Sequence, residues 1–308
     1  MHVYSDPRML AHDPGPEHPE GPWRLAAVRG ALAGVAGLTL QDHLRFATRD
    51  ELLTVHTPAY VDHVLALRGR AGALDHETPL SEQSVDAALL AAAAGIDLAT
   101  DLVLGRTRRG LALVRPPGHH ASADHGCGYC VFNNVALAAQ ASLRLGLTRV
   151  AILDWDVHHG NGSEDIFAER DDVLVVSMHQ SQLFPEGRGR AADRGVGAGL
   201  GYTLNVPMPP GSDGMAYLGA FDGEVAPAVR AFAPELVLIS CGFDAHRLDA
   251  MSEVALTEED FGALTARAVA LAEESACGRV GMFLEGGYAV EALGPSVQAC
   301  LRALAGEG

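Results

Sequence analysis

Arg149-Val150-Ala151-Ile152-Leu153-Asp154-Trp155-Asp156-Val157-His158-His159-Gly160-Asn161-Gly162 changes character halfway along. Up to Asp154 it is a short, branched, apolar run. Beyond that point carboxylates and imidazoles crowd against glycines. A fully buried parallel strand reads this way, because helices cover both of its faces and polar alternation is not needed. Four other stretches share the design: residues 111–114, 173–178, 236–240 and 280–284. At or just past their ends stand Arg115-Pro116-Pro117-Gly118-His119-His120, Met178-His179-Gln180, Cys241-Gly242-Phe243-Asp244-Ala245-His246 and Glu285-Gly286-Gly287-Tyr288. Helical patterns lie between the strands, at 84–104, 134–145, 214–232 and 257–274. The second follows an Asn pair suited to capping, and the last opens on Thr257 with three acids in its first turn. Strands alternating with helices predict an α/β protein: a single domain, residues 1–308, with a mostly parallel central sheet flanked by helices. The glycine-rich stretch 187–201 reads as a long loop. Ligands of open α/β sheets bind beyond the carboxyl ends of the strands, so five polar clusters at five strand ends predict one site.

Within the opening stretch, extended backbone puts residues i, i+2 and i+4 on one side. Asp154, Asp156 and His158 thus converge, and Asp and His are competent zinc ligands where water keeps a position open. A lone Asp-x-Asp-x-His is as compatible with a strand end whose Asp caps a helix. Asp244, after another strand, would complete an Asp–His–Asp set, although an Asp in that position is ordinarily a turn residue. In the rigid Pro-Pro-Gly loop, His119 and His120 offer an imidazole suited to general-base work near neutral pH. Tyr288 follows paired glycines and offers a phenol to a developing oxyanion.

Composition narrows the class. The 39 acidic residues outnumber 22 Lys and Arg, for a formal charge of −17 at pH 7. A nucleic-acid partner would need a basic footprint, and an anionic membrane surface would repel this chain. A cationic substrate fits the field. Five cysteines, an odd number, with no secretory or membrane-spanning pattern, lead to the expectation of a reducing, cytoplasmic setting. Cys127 and Cys130 form a C-x-x-C, but no second pair accompanies them to suggest a zinc knuckle.

Taken in order, the motifs resemble the histone deacetylase superfamily, in its bacterial and class II-like branch, which includes acetylpolyamine amidohydrolases and acetoin-utilisation proteins. The likeness begins at His18-Pro19-Glu20 with Arg24-Leu25 and continues through Val55-His56-Thr57-Pro58-Ala59-Tyr60 and Arg-Pro-Pro-Gly-His-His. Gly128-Tyr129-Cys130-Val131-Phe132-Asn133-Asn134, the opening stretch and Phe184-Pro185-Glu186-Gly187-Arg188-Gly189 follow. It ends at the Asp244 segment, Leu256-Thr257-Glu258-Glu259-Asp260-Phe261 and the Tyr288 segment. This resemblance implies the arginase/deacetylase fold and a zinc ion held by Asp156, His158 and Asp244. It implies that His119 and His120 are the paired site histidines, with Asp154 behind His119 and Asn161 behind His120, and that Tyr288 is the catalytic tyrosine. An amide behind His120 supports its cation less than a carboxylate would, which suits a base that starts neutral. Gly128, Tyr129 and Phe184 are implied to wall a narrow acyl-lysine tunnel, with Met251 and Glu77 at its rim. Asp154 and Ser177 match ligands of a potassium ion, and Phe167, Val173 and Tyr202 match a second such site. Rim segments depart from the pattern at Gly21, in the Phe184–Gly189 string, and after His246, where the common Asp-Pro is missing.

The expected activity is a zinc-dependent amidohydrolase that releases acetate or another short acyl group from acyl-lysine. Polyamine-specific relatives carry a glutamate gatekeeper where this chain aligns Met251, although Glu253 is two residues away. An acetylpolyamine or other small acylated amine is the alternative substrate. A non-catalytic acyl-ligand binding protein, and a dinuclear manganese hydrolase of the arginase type, are alternatives of other classes. The sequence does not reveal the oligomeric state.

Overall fold

The computed structural model describes residues 1–33 and 35–306. Its strands are β1 (His2–Tyr4), β2 (Thr39–Gln41), β3 (Gly72–Ala73), β4 (Pro79–Leu80), β5 (Arg109–Ala112), β6 (Val150–Asp154), β7 (Val173–Gln180), β8 (Thr203–Met208), β9 (Leu236–Cys241) and β10 (Val280–Leu284). Eight of them form one sheet in the order β2-β1-β5-β10-β9-β6-β7-β8, and β3 and β4 make a small separate hairpin. Every pairing in the large sheet is parallel. The main helices are α1 (Pro22–Ala31), α2 (Arg49–Leu52), α3 (Pro58–Ala66), α4 (Ser84–Val103), α5 (Asn134–Arg144), α6 (Asn161–Phe167), α7 (Gly214–Ala220), α8 (Ala226–Phe232), α9 (Glu258–Ser275) and α10 (Val290–Ala305).

The central strands β6, β7, β9 and β10 are buried along their whole length, as their largely apolar runs require, with polar residues confined to their carboxyl-terminal halves. Helices α4 and α5 pack together over the sheet, and α9 and α10 form a second packed pair joined by α1. Each fully buried Val, Leu or Ile in these layers contributes about 1.5–3 kcal/mol.

Sheet order places the site. The chain leaves β6 for β7 on one side and leaves its neighbour β9 for β10 on the other. Connections that diverge from adjacent strands open a crevice at their carboxyl ends. The segments after β6 and β9 carry Asp156, His158 and Asp244.

Boundaries moved by a few residues, for local reasons. Strand β5 ends at Ala112, short of the expected 114, although the Leu113 amide still bonds the Tyr4 carbonyl; Pro116 and Pro117 then supply no donors. Strand β7 runs on to Gln180, because β8 pairs with it as far as Gln180 opposite Met208. The expected helix 214–232 is α7 and α8 joined through a π turn at Phe221–Val225, next to Pro227. Proline lacks the amide that would continue the regular ladder.

Candidate active site

Three donors from two loops meet at the crevice. His158 Nδ1 lies 3.1 Å from Asp156 Oδ1 and 3.1 Å from Asp244 Oδ2. Donors held tetrahedrally at bonds of about 2.0–2.1 Å sit about 3.3 Å apart, so the triangle has the size of a zinc site. Backbone amides fix the carboxylates: Gly286 N–H donates to Asp156 Oδ2, and Val157 N–H donates to Asp244 Oδ1. A Cβ at Gly286 would stand 2.1 Å from Asp244 Oδ2 and 2.7 Å from Asp156 Oδ2, so only glycine lets this turn press against both acids. Both carboxylates are fully buried, with a single imidazole between them. Burial, and then the charge of Asp156, pushes Asp244 up to about 7. Two acids crowded in a dry site are stabilised by a divalent cation far better than by one imidazole. The donor set therefore fits zinc. His119, Cys130 and Glu285 form a second converging group. Its His119 and Glu285 are already engaged by other protein groups, described below.

The two histidines differ in what stands behind them. His119 Nδ1 is 2.8 Å from Asp154 Oδ2. Burial works to lower His119, but the carboxylates of Asp154 and Asp156 outweigh it and hold this imidazole well above its ordinary value. His120 Nδ1 donates to Asn161 Oδ1 at 2.7 Å, which leaves a lone pair on Nε2. Burial, then the neighbouring His119 and His158, depress His120 well below the usual imidazole range. The two rings are thus pushed in opposite directions, His119 toward its protonated form and His120 toward its neutral form.

His120 and His158 open onto a narrow cavity of about 90 Å³, lined also by Glu77, Gly128, Tyr129, Phe184, Met251 and Tyr288. All five expected wall and rim residues thus share one cavity. Gly128 has φ +55°, and a Cβ there would meet His120 Cδ2 at 2.5 Å and Phe184 Cε1 at 2.9 Å. The Phe184 ring meets the His120 ring edge to face at 5.0 Å. The Tyr288 ring lies 6.0 Å from Tyr129 and 4.9 Å from the Arg24 guanidinium. Burial raises the Tyr288 phenol well above its ordinary value, against the pull of Arg24, so it remains a proton donor.

Asp154 and Ser177 stand directly opposite each other on β6 and β7. Asp154 already accepts from Asp156 N–H and His119, and Ser177 Oγ pairs with His179 Nδ1. Val173 begins β7 and Tyr202 precedes β8, at the opposite ends of those strands from the cavity.

Several supporting residues lie within the motifs, with no role that their position in the sequence alone assigns. Glu285 accepts the Gly118 and His119 amides and the Ser240 hydroxyl, which ties the histidine loop to β9. Arg24, fully buried, donates to the carbonyls of Glu285 and Gly287 and to Glu20. Glu20 also pairs with Arg115. The available signal was a charged residue adjoining an apolar run. By itself it cannot distinguish a buried anchor from a solvated surface group.

The histone deacetylase domain model matches residues 18–304. A probable deacetylase of Archaeoglobus fulgidus is 38% identical over 287 residues, covering 92% of this chain and 79% of that one. A histone deacetylase-like amidohydrolase of Pseudomonas aeruginosa is 40% identical over 277 residues, covering 88% and 72%. Among solved structures, the crystal structure of the HDA15 HD domain matches with a TM-score of 0.92 and 38% identity, over 99% of this chain and 89% of that one. With sequence and fold agreeing over nearly its whole length, the chain belongs to the histone deacetylase domain family.

Proposed function

We propose that this chain is a zinc-dependent amidohydrolase that releases acetate or another short acyl group from acyl-lysine side chains, with residues 1–308 forming one catalytic domain. The observation that carries this reading is the convergence on one narrow cavity of the His120 imidazole, whose Nδ1 is engaged by Asn161, the Tyr288 phenol and the outermost of three metal-competent donors. Asp156, His158 and Asp244 would hold the ion. When bound, it supplies Lewis acidity toward an amide carbonyl and toward water.

The chain's own groups then divide the work. Nε2 of His120 accepts the proton of the attacking water. The Tyr288 phenol donates to the amide oxygen as negative charge develops there. His119, whose Nδ1 pairs with Asp154, adds positive field beside that charge when it carries a proton. His120, once protonated, returns its proton to the departing amine. Gly128, Tyr129 and Phe184 enclose the alkyl stem and exclude water, and Glu77 stands at the rim where it can grip the substrate backbone. In their facing positions on β6 and β7, Asp154 and Ser177 are the side chains we assign to a potassium ion beneath the site. The five free cysteines accord with a cytoplasmic setting, and among the described residues no helix is long and apolar enough to cross a membrane.

A small acylated amine is the second reading, and the charge of −17 suits it and a cationic acyl-lysine peptide alike. Met251 in the cavity wall favours acyl-lysine, because an apolar side chain there offers a polyamine cation no counter-charge. Free-acid release from acyl-lysine peptides and from N-acetylputrescine, each with and without a chelator, tests both. Chelator-sensitive release from the peptides, well above that from the polyamine, is the expected result. The reverse preference would move the assignment to the small amine, and no release from either would overturn the hydrolase.

A further inference from the structure

One carboxylate outside the tunnel fastens two of the residues that line it. Asp249 lies in the loop that follows β9 and Asp244. Its Oδ2 accepts the Tyr288 amide at 2.6 Å and the Ala289 amide at 2.9 Å. Its Oδ1 accepts the Met251 amide at 3.0 Å. The residue is itself anchored, since its own amide donates to the His246 carbonyl at 2.8 Å, and it is only 6% exposed.

These bonds do not serve as an ordinary helix cap. Helix α10 begins at Val290 with Ala289 as its N-cap residue, so Asp249 takes the amide of the cap residue and of Tyr288 before it, and none from the first turn itself. What the carboxylate holds is the backbone that carries the phenol. Arg24 and Tyr129 support the Tyr288 ring from the side; Arg24 also holds the Gly287 carbonyl of the preceding peptide, and Asp249 takes the amide of that same peptide.

We infer that Asp249 is a positioning residue that sets the Tyr288 phenol relative to His120 and His158 and ties its placement to the Met251 wall. This inference rests on the reading of Tyr288 as the donor to the developing oxyanion. A displacement of about 1 Å in such a group costs on the order of 10²-fold in rate. In Asp249→Asn one of the two oxygens becomes an amide nitrogen, which donates and cannot accept. Either Met251 or the Tyr288–Ala289 pair then loses its partner.

A double-mutant cycle tests this. Turnover of an acetyl-lysine peptide is measured for the wild type, Asp249→Asn, Tyr288→Phe and the double variant, with zinc content and thermal midpoint recorded for each. If Asp249 acts through the phenol, its replacement lowers kcat by about tenfold or more in the wild type and by less than about threefold once the hydroxyl is gone. Equal fractional losses in both backgrounds would overturn the positioning role, as would near wild-type kcat in both Asp249→Asn and Asp249→Ala, the second of which leaves no acceptor for any of the three amides. A structural role alone predicts those equal losses. Should Asp249→Asn fail to fold, Asp249→Glu, which keeps the charge and shifts it by one methylene, takes its place in the cycle. A fully active Tyr288→Phe would sink the reading of the phenol and this inference with it. A slow Tyr288→Phe with multiplicative losses would sink only the positioning role.

Discussion

Replacing Tyr288 with Phe removes one hydroxyl and leaves the ring between Arg24 and Tyr129. Turnover should fall by about 10²–10³-fold, the usual cost of one oxyanion donor, with one zinc per chain still bound. Steady-state kinetics beside metal analysis checks this, and near wild-type turnover would remove the phenol from the mechanism. At this scale the sequence was legible where one residue type brings its chemistry with it. Asp156, His158, Asp244, His119, His120 and Tyr288 could be named from strand-end position and motif. Asp249 and Glu285 could not, because what they do depends on which backbone amides come within reach. Glu285 binds amides more than 160 positions away, and nothing in its neighbours records that pairing.

Among the elements, the loops at the carboxyl edge are bound together by a buried ionic group. Glu20 accepts from Arg24 and Arg115 and pairs with His12, and all four side chains are almost wholly enclosed. Burial works to raise Glu20, yet Arg115, then His12, hold it well below the usual carboxylate range. Breaking a buried pair leaves its partners' charges uncompensated, which costs about 3–5 kcal/mol. Glu20→Gln should lower stability by that order in urea unfolding, and an unchanged midpoint would contradict it. Elements at the centre of the sheet were readable and those at its margins were not. Strands β6, β9 and β10 are continuous apolar runs because they are covered on both faces. β2 and β8 are the edge strands. β2 is three residues long and largely exposed, and β8 contains Pro207, which an edge tolerates and a central strand does not. α10 carries Pro295 in its interior, a breaker that hides the helix from pattern reading.

Considered as a whole, the molecule should be sensitive to acid. His56 is buried, donates from Nδ1 to the Ser122 carbonyl and accepts the Asn133 amide at Nε2, so both nitrogens are committed to the neutral ring. Burial lowers it to about 4 from an ordinary 6.5. The folded state therefore binds this proton less readily than the unfolded chain. Its contribution is intact above about 6.5 and is lost as pH falls toward 4, on the order of 3 kcal/mol in all. Glu20, with its depressed carboxyl, acts in the same direction at still lower pH. Urea midpoints measured from pH 7.5 to 4 should fall, and His56→Gln should flatten the slope; parallel slopes would contradict the assignment. The fold class was legible at this scale from the alternation of strands and helices. The strand order was not, because the divergence of β6 and β9 is a property of crossovers between distant segments.

The central claim is that Asp156, His158 and Asp244 hold one ion on which amide cleavage depends. Chelator-treated protein titrated with zinc, with acetate release from an acetyl-lysine peptide followed at each addition, tests it most directly. Activity should return in proportion to zinc, level off at one equivalent, and fail to return in Asp244→Asn. Undiminished cleavage in metal-free protein, or full zinc occupancy with no amide cleaved, would contradict it.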